Sequence, residues 1–240
     1  MSPPERYEQG PEGPAAAGMG AAQDSEPPAP PRYGRYVGLL AVAIIVLITI
    51  NTIVTKPNGG SGFAPGEQIA PFAVPLALSA LRGDANVATR SGEGSAGHIP
   101  ACQVRKPTAL NVCELYEHSP LVLALFVNGG ACPAVLGDLQ TLARSFPSVR
   151  FAAVAIKGDR AKLRRLVRAR GFSFPVGIDE DGALVVLYKD ASCPQVSFVL
   201  PGGAMQSRAL LRRAAPASLR ARVEQLIAAA RARGWSPTAR

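Results

Sequence analysis

Charge is scarce in this sequence. Asp, Glu, Lys and Arg make up 18% of the 240 residues, against 48% hydrophobic ones. The shortage is concentrated: residues 37–54 (VGLLAVAIIVLITINTIV) carry no charge at all. As a helix that run rises about 27 Å, close to the thickness of a bilayer core, which argues against a purely cytosolic protein. Histidine is nearly missing. His98 and His118 stand in turn-like contexts without a Ser or Asp constellation, so hydrolase chemistry has no support. No cysteine occurs before residue 102. Residues 1–36 lack apolar periodicity and hold eight prolines, three arginines and five acids. Such a segment buries too little surface to offset its chain entropy and reads as a disordered tail.

The uncharged run is longer than the apolar core of a signal peptide and starts only after 36 residues. The following TKPNGGSG offers no small-x-small cleavage site. The sequence therefore predicts one retained transmembrane helix over 37–54. Arg32 and Arg35 precede it and only Lys56 follows closely. By the positive-inside rule the N-terminus is cytoplasmic and residues 55–240 lie outside. All four cysteines (Cys102, Cys113, Cys132, Cys193) fall on that outer side, an even count suited to an oxidising compartment. The expected location is the cell membrane, single-pass, with an extracytoplasmic domain. That outer portion holds 23 Lys+Arg and 12 Asp+Glu, a net of +11. Outside a membrane the matching partners are anionic lipid or wall polymers rather than nucleic acid. Arginine outnumbers lysine 21 to 5 and alanine is abundant, a pattern of a GC-rich bacterial genome.

Residues 55–68 (TKPNGGSGFAPGEQ) read as a flexible linker. A globular domain follows over 69–234, with 85–118 as an insertion and 235–240 as a tail. PLVLALFVN (120–128) is a continuous apolar run ending at Gly129-Gly130, the pattern of a buried strand. Helical spacing of Val135, Leu136, Leu139, Leu142 and Ala143 predicts a helix over 132–146. RFAAVAIK (150–157) is a second strand, and 159–171 an amphipathic helix stopped by Gly171. FPVGID (174–179) is short and apolar. QVSFVL (195–200) and AMQSRAL (204–210) flank Pro201-Gly202-Gly203 as a hairpin, and 218–234 closes the domain as a helix. Strands alternating with helices imply parallel pairing, and the hairpin adds antiparallel edge strands. The expected fold is α/β: a mixed central sheet with helices on both faces.

Cys132 falls at a helix N-cap position, with Pro133 at the first helical position, where proline is pre-organised. A sulfur there faces unsatisfied N–H groups and the positive end of the helix dipole, which favour the thiolate. An inert cysteine at a strand–helix junction satisfies position alone equally well.

FVNGGACPAVLGDLQTLARSF and FPVGIDEDGALVVLYKDASCPQVSFVLPGGAM resemble the corresponding segments of thioredoxin-like redoxins. The similarity is to the membrane-anchored TlpA-like thiol–disulfide oxidoreductases and the alkyl hydroperoxide reductase/thiol-specific antioxidant superfamily. It spans about 69–234 and implies a thioredoxin-like fold and an antioxidant-type or thiol-exchange activity. Carried over by residue, Cys132 takes the attacking-cysteine position and Pro194 the cis-proline position. The family's second active-site cysteine falls at Val135, its preceding tryptophan at Ala131, and its peroxidase Thr/Ser at Gly129. Exchange within one C-x-x-C is thus impossible. In this fold the cis-proline loop lies against the start of the active-site helix. Cys193, just before Pro194, is therefore expected to pair with Cys132 and resolve its mixed disulfides. The competing expectation is a degenerate redoxin kept as a binding or scaffold module on the outer membrane face.

Cys102 and Cys113, with ten residues between them, are expected to form a structural disulfide. His98 and His118 complete a possible N/S metal set, but spacings of three, ten and four residues match no usual zinc knuckle. No metal and no organic cofactor is expected. Partners are an unknown thiol or disulfide protein substrate and a protein electron donor, besides lipid. Gly92–Gly97 satisfies G-x-G-x-x-G, but no strand leads into it and His98-Ile99-Pro100 follows, so it reads as a loop. The cations Arg160, Lys162, Arg164, Arg165, Arg168 and Arg170 read as the solvated face of their helix. Attraction to anionic headgroups is the sharper alternative.

Overall fold

The structure is a computed structural model that describes residues 33–55, 62–93, 97–130, 132–189, 194–210 and 216–237. Residues 1–32 of the expected 1–36 tail, residues 56–61 of the expected linker, Gly94–Ala96 of the glycine motif, and 238–240 lie outside the described residues. The chain divides into two units, Met1–Pro57 and Asn58–Arg240.

In the first unit, helix α1 (Tyr33–Thr55) has 23 residues. Its side chains are described at Tyr33 and 36–49, and every one is exposed, including Leu39, Ile45 and Leu47 on different faces. Among the described residues no helix is long and apolar enough to cross a membrane.

The second unit is built around a five-stranded mixed sheet. Ahead of it come strand β1 (Ala73–Pro75), a 3-10 turn (Ala101–Gln103), β2 (Ala109–Asn111) and helix α2 (Val112–Tyr116). The sheet itself uses β3 (Leu121–Val127), β4 (Arg150–Ile156), β5 (Val176–Asp179), β6 (Gln195–Val199) and β7 (Met205–Leu210), in the order β5-β4-β3-β6-β7. Helices α3 (Val135–Ser145), α4 (Arg160–Arg170), α5 (Ala183–Leu187) and α6 (Pro216–Ala232) complete it. Pairs β3–β4 and β4–β5 are parallel, while β3–β6 and β6–β7 are antiparallel. β3 is apolar on both sides because it is central. Val122, Ala124 and Phe126 enter one core, and Leu121, Leu123 and Leu125 the other.

The two cores are covered differently. α3, α4 and α6 close the first through Leu136, Leu139, Leu163, Val167, Leu219, Val223 and Leu226. The second is roofed by short pieces: the β1–β2 pair, α2 and α5. Leu110, Val112, Cys113 and Tyr116 are buried there with Ile69 and Phe72, so the last third of the 85–118 segment belongs to the body of the domain. The segment from 62 also joins it. Gly66 N–H donates to Met205 C=O at 2.7 Å, Ile69 N–H to Gly203 C=O at 3.0 Å, and Phe63 meets the Tyr188 ring edge-on. The flexible linker read over 55–68 is thus folded onto the domain from residue 62 onward.

Cys102 and Cys113 form the expected disulfide, with Cα atoms 5.4 Å apart. Closing a loop of that length contributes roughly 3 kcal/mol. Asn111 anchors the same corner: its side chain accepts from Cys113 N–H and donates to the Ala101 and Val104 carbonyls.

The cations of α4 divide. Asp159 caps the helix through the Ala161 and Lys162 N–H groups, and Gly171 stops it at φ 56°. Lys162, Arg165, Arg168 and Arg170 are exposed as expected. Arg160 is not: it is 6% exposed and pairs with Glu180 at 3.1 Å. Its guanidinium also donates to the Leu76, Ser79 and Leu81 carbonyls. Arg164 reaches the Ala77 and Ser79 carbonyls. The solvated-face reading fails at these two positions because the carbonyls of the irregular 76–81 segment, distant in sequence, accept from both guanidiniums.

Candidate functional site

The site is assembled at the C-terminal end of β3. Val127 ends the strand, and residues 128–130 turn outward. Cys132–Ala134 then form one 3-10 turn that leads into α3. Cys132 is 1% exposed, its N–H donates to Gly129 C=O at 3.3 Å, and its sulfur is disulfide-bonded. No side chain caps α3 at Ala134, so the turn carrying Cys132 precedes helix N–H groups that lack a side-chain acceptor. Val135 is 6% exposed and part of the first core. The position that would hold a second cysteine in a C-x-x-C is therefore filled by packing.

Pro194 is buried and leads directly into β6. Cys193 lies outside the described residues. Gln195 is the Cα partner of Leu125, on the strand that ends just before the Cys132 turn.

Two features of this end were not legible in the sequence. Asn128 is 8% exposed, and its amide donates to Asp159 C=O at 3.0 Å. It ties the loop bearing Cys132 to the start of α4 and acts as a positioning residue. The only sequence signal was a polar residue closing an apolar run. The second is Asp179, fully buried at the end of β5. It accepts from Gly182 N–H at 2.9 Å and Leu184 N–H at 3.0 Å. Gly182 has φ 77°, and a Cβ there would strike the Lys157 side chain, so this turn requires glycine. Burial, reinforced by a hydrogen bond to the Asp181 carboxyl, pushes Asp179 up to about 7. Asp181 is held low by that same bond and by backbone N–H groups.

An acid whose folded pKa exceeds its unfolded value binds more protons folded than unfolded between the two. Stability then falls as pH rises through that window. The domain is expected to lose stability between about pH 4 and 7, and Asp179→Asn to flatten that slope. Thermal unfolding of both proteins across the window checks it. A slope retained in full by Asp179→Asn would assign it to another group.

His98 is exposed, and His118 is exposed beside Glu117 at 3.7 Å. Because Cys102 and Cys113 bond each other, neither offers a thiolate to a metal. Among the described residues no group of three His, Cys, Asp or Glu side chains is placed to hold a metal ion. A cavity of about 490 Å³ lies between β1 and the 81–86 and 98–106 segments, lined by Arg82, Asn86, His98 and Lys106 among others. Neither Cys132 nor Pro194 lines it, so it is separate from the sulfur site.

The order β5-β4-β3-β6-β7, two parallel crossovers, an antiparallel hairpin and a cysteine at the start of the helix after the central strand define a thioredoxin-like fold. Solved structures agree. The chain is similar to a structure provisionally assigned as thiol:disulfide interchange protein DsbE from Chlorobium tepidum, at 14% identity and TM-score 0.51, covering 70% of this chain and 98% of that one. An uncharacterized conserved protein from Geobacillus kaustophilus matches at 16% identity and TM-score 0.52, covering 70% and 84%. A hypothetical protein from Sinorhizobium meliloti 1021 matches at 14% and 0.50, covering 70% and 86%. No family model and no curated protein matches the chain.

Proposed function

We propose that the protein is a thiol–disulfide oxidoreductase tethered to the cell membrane by α1, with its thioredoxin-like domain outside the cytoplasm. The observation that carries the chemistry is a bonded sulfur on the turn that opens α3. In the reduced protein the Cys132 thiolate attacks one sulfur of a substrate disulfide. That bond breaks, a Cys132–substrate disulfide forms, and the other substrate sulfur leaves as a thiolate and takes up a proton. The Cys193 thiolate then attacks the Cys132 sulfur, and the second substrate thiol is released. The two cysteines together lose two electrons and two protons, which a reduced thiol protein must restore.

Several facts support the pairing. The chain has four cysteines, two of which bond each other, and Cys132 is disulfide-bonded. Pro194 is buried at the start of β6, whose first residue pairs with Leu125 near the end of β3. Pro194 would shape the groove between the two cysteines. For the tether, the support is the uncharged run, the 23-residue helix and its all-round exposed apolar side chains.

The reduction potential of the oxidised protein, with Cys132→Ser as control, tests the redox reading. A couple that titrates above about −300 mV and vanishes in the control is expected. A Cys132-dependent couple below that value marks a structural bond and overturns the reading.

A further inference from the structure

Beside the Cys132 turn a cleft of about 190 Å³ opens between the start of α3 and the end of α4. Gly130 and Pro133, which bracket Cys132, contribute to it, with Gly137 and Leu166, Phe172 and Arg170 on the far side. A side chain added at Gly130 or Gly137 would meet nothing within 4 Å, so the space is open to an incoming group. Arg170 lies at its edge and is exposed. Side chains on a helix lean towards its N-terminus, which directs this guanidinium along α4. Lys162, Leu166 and Arg170 follow at intervals of four and form one row. α4 contains no acidic residue. Among the described residues, no carboxylate pairs with Lys162, Arg165, Arg168 or Arg170.

We infer that this cleft and the α4 row form a docking rail for acidic polypeptide substrates: an apolar residue near the substrate's cystine enters the cleft and a neighbouring carboxylate pairs with Arg170. The inference rests on the redox reading and names the substrate class of that site. A polypeptide fits better than a lipid surface because the apolar space continues into the turn that holds Cys132. A peptide seated there delivers its sulfur to that turn. A bilayer pressed against the same helix would cover the turn and exclude substrate. Unlike the Arg160 and Arg164 guanidiniums, the exposed cations have no backbone carbonyl to satisfy, so they remain available to a partner.

The test uses the reduced full-length protein and synthetic peptides carrying one cysteine activated as a 2-pyridyl disulfide. In each, the cysteine is flanked by a leucine and by two glutamates, two glutamines or two lysines. Attack on the peptide sulfur forms the Cys132–peptide disulfide and releases 2-thiopyridone, which is read by absorbance, with the Cys132→Ser rate subtracted. The glutamate peptide is expected to react about tenfold faster than the lysine peptide at low salt. Added salt should shrink that ratio. Arg170→Glu should bring it to about one, while Arg231→Glu, at the last turn of α6, should leave it unchanged. A ratio near one in the parent protein overturns the inference, as does a ratio that survives Arg170→Glu. Loss of binding to phosphatidylglycerol vesicles by Arg170→Glu, with the peptide ratio intact, assigns the rail to a membrane and also overturns it. The small uncharged reagent 2,2′-dipyridyl disulfide separates the two levels. If it fails to react at Cys132 the redox reading itself falls, and the inference with it; if it reacts while the peptides show no preference, only the docking rail falls.

Discussion

Replacing Cys132 with serine is expected to lower thiol–disulfide exchange by at least about a thousandfold, to the level of solvent chemistry. A serine hydroxyl stays protonated at neutral pH and forms no bond that a second thiol can resolve. The matching replacement at Cys193 should behave differently. Cys132 would still attack, but the mixed disulfide would persist, because Val135 offers no second sulfur on the first turn of α3. A covalent substrate adduct on a non-reducing gel, present in Cys193→Ser and missing in Cys132→Ser, reads that difference. Both variants lose the same proposed bond, so equal losses of stability cannot imitate it. Exchange that survives Cys132→Ser would leave the fold without its assigned chemistry.

The second large effect concerns stability. Arg160→Met is expected to destabilise the domain by about 3 kcal/mol, in the range for breaking a buried ion pair from one side. For a domain of this size that lowers the unfolding midpoint by roughly 10 °C. The methionine preserves the apolar stem but leaves Glu180 without its short contact and the Leu81 carbonyl without its arginine donor, while the Leu76 and Ser79 carbonyls each lose one of their donors. Arg164→Met should cost less, since its side chain is only half-buried and its acceptors lie on the same segment. Adding Glu180→Gln to Arg160→Met should recover part of the loss, because a neutral amide is cheaper to leave unpaired. Denaturant unfolding of the oxidised protein measures all three. A loss below about 1 kcal/mol for Arg160→Met would show that another contact holds the segment.

The contrast between these residues explains how far the sequence could be read. Strands and long helices of the sheet follow from local rules: the apolar run at 121–127, the Asp159 cap, the Gly171 stop and the Pro-Gly-Gly turn all act within a few residues. The Cys102–Cys113 bond was legible because two cysteines eleven positions apart have few other partners. Arg160 was not, since its periodicity is that of a solvated cation and its acceptors lie about eighty residues upstream. Helix α5 was hidden in DGALVVLYKD, where five helical residues are too few to show a period. Asn128 and Asp179 were missed for a related reason. Each closes an apolar strand, where a polar residue normally marks the return to solvent, yet here the adjoining turns fold over them. At the sulfur site, a helix just after Cys132 was visible from Pro133 and the apolar spacing behind it, but the cap expected at Cys132 falls at Ala134, and Cys132–Ala134 form a 3-10 turn ahead of the helix. The space beside it was not visible, because it arises from α3 and α4 lying together and from glycines that contribute no side chain.

The raised carboxyl at the end of β5 bears on the proposed location outside the cytoplasm. Cytoplasm is buffered; the surroundings of an exported domain are not. Acidification usually loosens a protein by discharging its ion pairs, but between about pH 7 and 4 the Asp179 corner gains as the medium sours. If the domain lies where we propose, mild acidity between about pH 7 and 4 would firm the strand end beside the Arg160–Glu180 pair instead of loosening it.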